Sequence, residues 1–306
     1  MKRFLIYITI LLVVTFTYLI TLEYLVEKIP NSYSYKYNYV KNNGSKIEAL
    51  AIGHSQLYNA FEPDSFCLPS FNLCNSMQSF EDNYYLLQEL LPYMPHLKMI
   101  IMPIGYTNVV TTPKASDPLK IKSFHRRCRY YYKYMNIDYG GRLPIQYHFE
   151  SFDPCRAIRK VYSYYINHSD IVGCDSLGKI KLPLQSNWGL NLYTLHTRKE
   201  RKGFNIDGEY FLLKTIKLLD DKRITLVMVS PPYYWDCFKE INDAQKQYLN
   251  SYMNSLCQKY PVKYINLEAD TTYEYDDFFD ETHLSDRGAW KFTHQLNSIV
   301  QKINFE

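Results

Sequence analysis

The sequence predicts an α/β protein whose parallel five-stranded sheet lies between two layers of helices. Five apolar runs of strand length carry this prediction, and they occupy residues 47–52, 71–73, 99–104, 224–229 and 262–267. Near-continuous apolar runs are typical of strands that are covered on both faces, as in parallel sheets. Helical patterns alternate with the runs, and this alternation predicts βαβ units. The result is a three-layer domain.

Capping residues mark the start of two predicted helices. Ser79 can cap a helix over residues 79–94, because Asp82 stands three positions later and completes a capping box. Ser285 can cap the last helix of the chain. The predicted apolar face of that last helix consists of Ala289, Phe292, Leu296, Ile299, Val300 and Ile303. Two further helical patterns occupy residues 208–221 and 241–260.

A large, mostly helical insertion is predicted at about residues 111–207, because a plain crossover needs far fewer residues than the chain has here. It contains a basic, tyrosine-rich stretch at 122–134 and a second aromatic helix pattern at 154–167. Three interpretations of the basic stretch stay open. It can be an exposed helix that packs its tyrosines on the domain, a surface for sugars or anionic glycans, or a contact with anionic lipid headgroups. Its place after a strand also suits a lid.

The N-terminus predicts a transmembrane helix. Residues 4–22 carry no charge, and 19 residues suffice to cross about 30 Å of hydrocarbon. Lys2 and Arg3 precede this run, so the chain is expected to have a cytoplasmic N-terminus and an extracytoplasmic main domain. A cleaved signal peptide is the alternative, although its apolar region is usually shorter. The predicted segments are an anchor at 1–26, a juxtamembrane linker at 27–46 and one domain at 47–306.

Composition excludes some functions. The net charge is +4, of which Lys2 and Arg3 supply two, and so small an excess argues against a nucleic-acid partner. Hydrophobic residues make up 46% of the chain, enough for a substantial core. No Cys or His spacing indicates zinc, so neither a metal nor a cofactor is predicted. The seven cysteines leave at least one unpaired, and their pairing cannot be deduced from sequence.

A serine lies where a parallel sheet binds its ligands. The first apolar run stops at Gly53, and His54 and Ser55 follow at the carboxyl edge of the sheet. A base for this serine is available in Asp280 and His283, whose spacing of three lets both side chains share one face of a turn. We therefore predict a triad in which Ser55 is the nucleophile, His283 the base and Asp280 the residue that orients it.

The motifs GHS at 53–55 and DETHLSDRGAWKF at 280–292 resemble those of the SGNH (GDSL-like) hydrolase superfamily. The resemblance is closest to its membrane-anchored extracytoplasmic branch, which includes the D-alanyl transfer protein of teichoic acid synthesis and the alginate-type O-acetyltransferases. It covers about residues 47–110 and 208–303 and leaves out the insertion. It implies a flavodoxin-like sheet and the same three triad roles.

The chain departs from the SGNH pattern in two places, and a third match is shifted. His54 stands where the family has an aspartate, and residues 72–76 contain no glycine to supply the family's backbone oxyanion donor. Asn108, in GYTN at 105–108, is the counterpart of the family's oxyanion asparagine, one residue further along than usual. The further oxyanion or substrate-binding candidates are Gly53, His54, Asn75 and Asn108. An α/β-hydrolase is disfavoured, because the G-x-S-x-G elbow lacks its second glycine.

The expected function is extracytoplasmic acyl transfer on a cell-surface glycan or a similar ester, by an O-acyltransferase or an esterase. Family analogy adds an acyl-exporting membrane protein as a partner. The alternative is an SGNH-like glycan-binding or assembly-scaffold protein without turnover, which the departures favour. A secreted lipase-type esterase is a third possibility, and it requires a cleaved N-terminus.

Overall fold

The structure is a computed structural model, and it describes residues 1–110, 118–169, 172–180, 205–206 and 208–302. The chain forms two compact units. The helical unit comprises Met1–Tyr37 and Pro118–Gly173, and the sheet unit comprises Asn38–Asp117 and Cys174–Glu306. The predicted limits of anchor, linker and domain stay a prediction.

The described elements are named in chain order. The α-helices are α1 (Lys2–Glu27), α2 (Ser32–Asn43), α3 (Ser55–Ala60), α4 (Phe80–Leu90), α5 (Pro118–Met135), α6 (Pro154–Val161), α7 (Glu209–Asp220), α8 (Trp235–Lys239), α9 (Asp243–Lys259) and α10 (Asp286–Val300). The strands are β1 (Ala49–Ala51), β2 (Ser70–Asn72), β3 (Met99–Pro103), β4 (Val109–Val110), β5 (Asn205–Ile206), β6 (Thr225–Ser230) and β7 (Val262–Asn266). Short 3₁₀ turns lie at Gly44–Lys46, Pro63–Ser65, Leu91–Tyr93, Tyr106–Asn108, Ile145–Tyr147, Glu150–Phe152 and Tyr275–Asp277, and a π-turn at Tyr162–Ile166.

The sheet unit contains a five-stranded, all-parallel sheet in the order β2-β1-β3-β6-β7. This confirms the predicted α/β class and the parallel five-stranded sheet. Leu50 in the middle of β1 lies opposite Phe71 of β2 and Ile100 of β3, and all three are fully buried. The strand order reverses at β1, so the carboxyl ends of β1 and β3 form the switch point at which open α/β sheets bind ligands.

Helices cover both faces of this sheet. The connection from β1 to β2 runs across the sheet in one direction, and the later connections run in the other. Because such crossovers are right-handed, α3 lies on one face and α4, α7 and α9 lie on the opposite face. The packing agrees, since α10 contacts α3 while α4 contacts α7. A short antiparallel pair, β4 and β5, adds a second sheet that the sequence did not predict.

Both predicted helix caps are present. The Ser79 hydroxyl accepts a hydrogen bond from Asp82 N–H at 3.2 Å, and the Asp82 carboxylate accepts one from Ser79 N–H at 2.8 Å. Ser285 Oγ accepts from Gly288 N–H at 3.3 Å and so starts α10. Of the predicted apolar face of α10, four residues are buried, namely Ala289, Phe292, Leu296 and Val300. Ile299 is half-buried, and Ile303 lies outside the described residues.

The segment predicted as a linker is largely helical, because α2 and a 3₁₀ turn occupy most of it. Its apolar residues lack helical periodicity, so the sequence offered no signal for this helix. Stacked aromatic rings contribute to its packing instead. Tyr33 stacks on Tyr130 within the helical unit at 5.0 Å between ring centroids, and Tyr39 stacks on Phe71 within the sheet unit at 4.3 Å. Aromatic pairs of this kind stabilise a fold by about 1 kcal/mol each.

Several other expectations can be compared with the structure. The basic stretch 122–134 lies in α5, and the second aromatic pattern forms α6 followed by the π-turn. No disulfide bond joins any two of the seven cysteines, all of which lie in the described part of the chain, and Cys74, Cys128, Cys174 and Cys237 are buried. The N-terminal helix α1 is long and apolar enough to cross a membrane.

Gly53 joins β1 to the functional residues that follow it, and no other residue type fits this position. Its φ angle is +147°, which side chains rarely adopt. A Cβ atom at Gly53 would lie 2.3 Å from Cδ and 2.5 Å from Cγ of Pro103, at the end of the neighbouring strand. The close contact between β1 and β3 therefore requires glycine at the point where the chain turns toward Ser55.

We expect Gly53→Ala to lower the free energy of unfolding by about 3 kcal/mol, because backbone strain and a clash with Pro103 act together. Urea denaturation measures the change. Gly208→Ala is the matched control, since Gly208 also has a positive φ, +73°, but its Cβ would meet nothing closer than 3.5 Å. Gly208→Ala should lower the free energy of unfolding by about 1 kcal/mol. Equal losses in both variants would contradict the role of Pro103.

Candidate active site

Ser55 lies at the first position of α3, immediately beyond the carboxyl end of β1. The N–H groups of Leu57 and Tyr58 both donate to the carbonyl oxygen of His54, at 3.2 and 3.1 Å. The N–H groups of Ser55 and Gln56 precede these and make no hydrogen bond among the described residues, as is usual in a first helical turn. The serine hydroxyl and two free donors therefore lie together at the switch point of the sheet.

The structure brings the three predicted triad residues into one hydrogen-bonded chain. Ser55 Oγ lies 2.8 Å from His283 Nε2. His283 Nδ1 lies 2.7 Å from Asp280 Oδ2 and 2.9 Å from Oδ1. These distances lie within the range for a nucleophile, its base and the group that orients the base. The arrangement can transfer the serine proton to the imidazole while the hydroxyl oxygen attacks an electrophile.

The Asp280 carboxylate is held by its own loop. Its Oδ1 accepts hydrogen bonds from the N–H groups of Thr282 and His283, both at 2.9 Å. Burial alone would raise the pKa of Asp280, but the hydrogen bond and charge of His283 and these N–H groups outweigh burial, so the pKa lies below its usual value. Asp280 is therefore ionised at neutral pH. It retains the proton on His283 Nδ1 and leaves Nε2 free to accept from Ser55.

His54 is a neutral imidazole beside the serine. Its ring is partly buried, and its Nε2 is fully buried without a hydrogen-bond partner among the described residues. Burial and the charge of His283 lower the pKa of His54 to about 4, although its interaction with Asn108 acts in the opposite direction. Where the SGNH pattern has an acid, this chain thus has an uncharged ring at neutral pH.

Asn108 follows β3 and lies next to His54. Its Oδ1 accepts a hydrogen bond from Gly105 N–H at 2.9 Å, which closes the 3₁₀ turn Tyr106–Asn108. With the oxygen engaged, the amide NH₂ is the end of the side chain that can donate to a ligand. The interaction of Asn108 with His54 places it beside the serine, where the sequence predicted it. Its role in binding an oxyanion stays a prediction.

Asn75 has its donors engaged elsewhere. Its N–H donates to the carbonyl oxygen of Gly53 at 3.0 Å, and its side-chain amide donates to Gln78 at 3.4 Å. The next N–H groups, those of Ser76 and Met77, make no hydrogen bond within the described part of the chain. Met77 has a φ of +60°, the left-handed conformation that favours glycine. The loop after β2 thus has, at Met77, a backbone conformation that usually belongs to glycine. The sequence carries no sign of it, because the residue there is a methionine.

A buried polar cluster that the sequence did not predict lies behind the serine. The Glu268 carboxylate accepts a hydrogen bond from Tyr106 N–H at 3.2 Å. Gln56, which follows Ser55, donates from Nε2 to the carbonyl oxygen of Thr282 at 3.4 Å, next to His283. A Cβ atom at Gly105 would lie 3.1 Å from both Glu268 Oε1 and the hydroxyl of the buried Tyr233. The cluster therefore packs directly on the turn that carries Asn108.

Burial changes the ionisation of Glu268. It raises the pKa of this carboxyl to about 7, while the Tyr106 N–H and the charge of Lys246 lower it in part. The hydroxyl of Tyr233 is also buried, and burial raises its pKa well above the usual value. Glu268 is thus a buried group beside the turn of Asn108 that changes charge close to neutral pH. No sequence signal identified it, because its burial results from the packing beyond β7.

No cluster of three His, Cys, Asp or Glu side chains that would hold a metal ion occurs among the described residues. The predicted lack of a metal and of a cofactor stays a prediction. Comparisons with known proteins assign no family: no protein-family model matches the sequence, and neither does any curated protein. The resemblance to SGNH hydrolases accordingly depends on the motifs around Ser55 and His283 alone.

We expect Glu268→Gln to change how stability depends on pH. The folded-state pKa of about 7 lies above the ordinary value of 4.5, so the native protein loses stability as the pH rises from 4.5 through 7. The glutamine removes this loss, which amounts to about 3 kcal/mol. Urea denaturation at pH 5 and pH 8 should therefore show a gain for the variant, relative to the parent, that grows toward pH 8.

The control for this measurement is Asp221→Asn, which neutralises an exposed carboxylate of the sheet unit. Its stability difference from the parent should be nearly the same at both pH values. If Glu268→Gln behaved like this control, the carboxyl of Glu268 would be ionised throughout the range, and the assignment of a raised pKa would be wrong.

Proposed function

We propose that the chain is a membrane-anchored, extracytoplasmic serine acyl-transfer enzyme of the SGNH type. Its substrate is an acyl ester of a cell-surface glycan or a similar ester, and O-acetyl is the default acyl group. The observation that carries the proposal is the hydrogen-bonded chain from Ser55 through His283 to Asp280. The motifs that supply these residues are the ones that resemble the SGNH family.

The topology of the sheet supports this proposal. The order β2-β1-β3-β6-β7 corresponds to the 2-1-3-4-5 order of flavodoxin-like sheets. Ser55 follows the interior strand β1, and the Asp280–His283 pair follows the last strand β7. The nucleophile and its base therefore come from separate strand ends that meet at one edge of the sheet, as the SGNH pattern requires.

The proposed chemistry has two half-reactions. Ser55 Oγ attacks the acyl carbonyl carbon, and its proton passes to His283 Nε2. The imidazolium, stabilised by Asp280, then donates this proton to the departing alkoxide, and an acyl-serine ester remains. A sugar hydroxyl or a water molecule next gives its proton to His283 and attacks the acyl-serine. The acyl group leaves as the new ester or the free acid, and the proton returns to Ser55.

The oxyanion of these steps could be bound without the family's glycine. The proposed donors are the N–H of Ser55, the amide of Asn108 and the N–H of Met77, and neither of the two backbone N–H groups makes a hydrogen bond among the described residues. Any residue except proline carries a backbone N–H, and Met77 already adopts the left-handed conformation. The loss of one oxyanion donor lowers the rate by about 10²–10³-fold. The number of donors that contact the oxyanion therefore determines whether the enzyme is fully or only weakly active.

The N-terminal helix supports the proposed location. Lys2 and Arg3 precede its apolar run, and this bias assigns the N-terminus to the cytoplasm and the rest to the outside. A surface glycan is then the accessible substrate, and an acyl-exporting membrane protein is the partner that the family resemblance suggests.

A second candidate function is glycan binding or assembly scaffolding without turnover. Two observations favour it. An uncharged His54 stands in place of an acid, and Met77, whose side chain is 63% exposed, stands in place of a glycine. The intact hydrogen bond from Ser55 to His283 favours the enzyme, since a scaffold has no need of it.

Ser55→Ala is expected to abolish ester turnover, with a loss of at least about 10³-fold, because Ser55 is the one hydroxyl among the described residues that hydrogen-bonds to His283 Nε2. The measurement uses the full chain in detergent with an activated acetyl ester, followed by release of the alcohol and by intact mass. The parent should carry an acetyl adduct, and the variant should not. Glycan acceptors added in a second arm distinguish transfer from hydrolysis.

Ser76→Ala is the matched control, because Ser76 is an exposed serine on the neighbouring loop. It should retain turnover and the adduct. If the parent, folded as judged by circular dichroism, behaves like Ser55→Ala, the enzyme proposal is wrong and the glycan-binding candidate takes its place.

Asn108→Ala is expected to lower kcat by about 10²–10³-fold and to leave KM nearly unchanged, because an oxyanion donor acts mainly in the transition state. Steady-state kinetics with the same ester measure both constants. Asn254→Ala, an exposed asparagine of α9, is the control for the loss of an amide. A rise in KM at constant kcat would instead make Asn108 a residue that binds substrate.

A further inference from the structure

The helical unit contains a group of cations that lacks matching acids. Two adjoining cavities, of about 660 and 330 Å³, share Arg126, Asp153 and Arg156 in their walls. Arg159 and Lys160 also line the larger cavity, and Arg129 lines the smaller. Asp153 is the one acid that the described residues contribute to these walls, and it caps α6 by accepting from Arg156 N–H at 3.3 Å. Lys160 is paired with Glu150.

Arg129 is the cation whose position is hardest to explain without a ligand. Its exposed fraction is only 4%, and among the described residues its Nε has no hydrogen-bond partner. Its guanidinium lies against Tyr130, with 3.4 Å to the hydroxyl and 5.2 Å to the ring centroid. Within the described residues no carboxylate pairs with Arg126, Arg129, Arg156 or Arg159. A buried cation without an anion is unfavourable, so the smaller cavity is suited to a negatively charged group.

Three cations surround one aromatic ring beside this cavity. Arg129, Arg156 and Lys160 lie 5.2, 5.6 and 5.0 Å from the ring centroid of Tyr130. The ring attracts each of the three cations, but three positive charges grouped around one ring repel one another. An anion placed between the guanidinium groups removes this repulsion. Arginine is also the side chain best suited to phosphate, because its planar fork can donate two parallel hydrogen bonds.

An apolar groove continues from the cationic cavities along α1. Its volume is about 560 Å³, and its apolar walls come from Phe16, Leu19 and Ile20 of α1 and from Phe149 and Phe152. Phe152 lines both this groove and the smaller cationic cavity. Phe152 is 62% exposed and Phe149 43%, so the apolar wall is open. A molecule with a hydrocarbon chain and an anionic head fits the two regions together.

The cationic cavities lie at the end of the apolar run of α1. That run ends at Leu22, and Leu22 and Val26 pack on Ala157 and Val161 of α6. The next residue, Glu23, accepts a hydrogen bond from Ser151 N–H at 2.7 Å. The helix that carries Arg156, Arg159 and Lys160 is therefore level with the point at which a spanning α1 would leave the hydrocarbon. This is the level of the phosphate groups of a bilayer.

We propose that the helical unit binds an anionic, phosphate-bearing membrane lipid, with one chain in the groove along α1 and the phosphate between Arg126, Arg129 and Arg156. The proposal rests on α1 spanning a membrane and is independent of the acyl-transfer chemistry. The site selects its ligand by negative charge at the head and by a hydrocarbon chain next to it.

The test is native mass spectrometry of the full chain in non-ionic detergent, titrated separately with phosphatidylglycerol and with zwitterionic phosphatidylcholine. We expect one phosphatidylglycerol per chain at an affinity at least tenfold above that for phosphatidylcholine. The double variant Arg126→Gln/Arg156→Gln should lose this preference, and Arg129→Gln should weaken it at least tenfold. Arg142→Gln is the matched control, because Arg142 is an exposed arginine of the same unit outside both cavities.

Two further arms of the experiment test whether the ligand is a lipid or free phosphate, and whether the apolar groove contributes to binding. Glycerol phosphate without a chain should not displace the lipid at equal concentration, whereas equal competition would overturn the lipid and leave a site for free phosphate. Phe152→Ser should weaken phosphatidylglycerol binding through the groove. Circular dichroism measures whether each variant is folded. If Arg129→Gln does not fold, the exposed Arg126 and Arg159 are substituted by glutamine instead.

Equal binding of both lipids by the parent, or equal preference in the double variant and in Arg142→Gln, would falsify the proposal. Extraction of membranes with alkaline carbonate tests the premise separately. Release of the chain into the supernatant would refute the anchor, whereas retention without lipid preference would refute the lipid site alone. Neither result bears on ester turnover at Ser55.

Discussion

The hydrogen bond from Ser55 to His283 connects two distant parts of the sequence of the sheet unit, and the arrangement of the candidate site depends on it. It spans 228 positions of sequence and 2.8 Å of space. The strands β2, β3, β6 and β7 between the two residues make this possible, because they run parallel to β1 and end at the same edge of the sheet. The loop of Asp280 then fixes the imidazole through bonds to its own backbone. Once the sheet forms, few degrees of freedom are left to the triad.

The electrostatic surroundings of the serine are simple. Asp280 is ionised, and its charge opposes that of the imidazolium that forms during the proposed reaction. His54 adds no charge at neutral pH, since its pKa is about 4. Glu268 lies behind the turn of Asn108 and titrates near pH 7, so it connects protonation to the packing of that turn.

The sequence predicted the features that depend on local patterns. Apolar runs located the five strands, and the caps Ser79 and Ser285 located two helices, because both signals lie within a few residues. The Asp280 and His283 motif located the base for the same reason. The left-handed backbone of Met77 was not predictable, since tertiary contacts impose it on a residue that does not favour it. Glu268 escaped notice because only the packed fold shows its burial.

The order of the chain has a consequence for the protein during its synthesis. Ser55 leaves the ribosome early, and its base follows only 228 positions later. A serine without its base is a weak nucleophile. Until β7 has joined the sheet and carried the Asp280–His283 loop to the edge, the hydroxyl at the end of β1 is therefore almost inert. The reactivity that we propose for Ser55 therefore requires the completed fold, and an unfinished chain would have none of it.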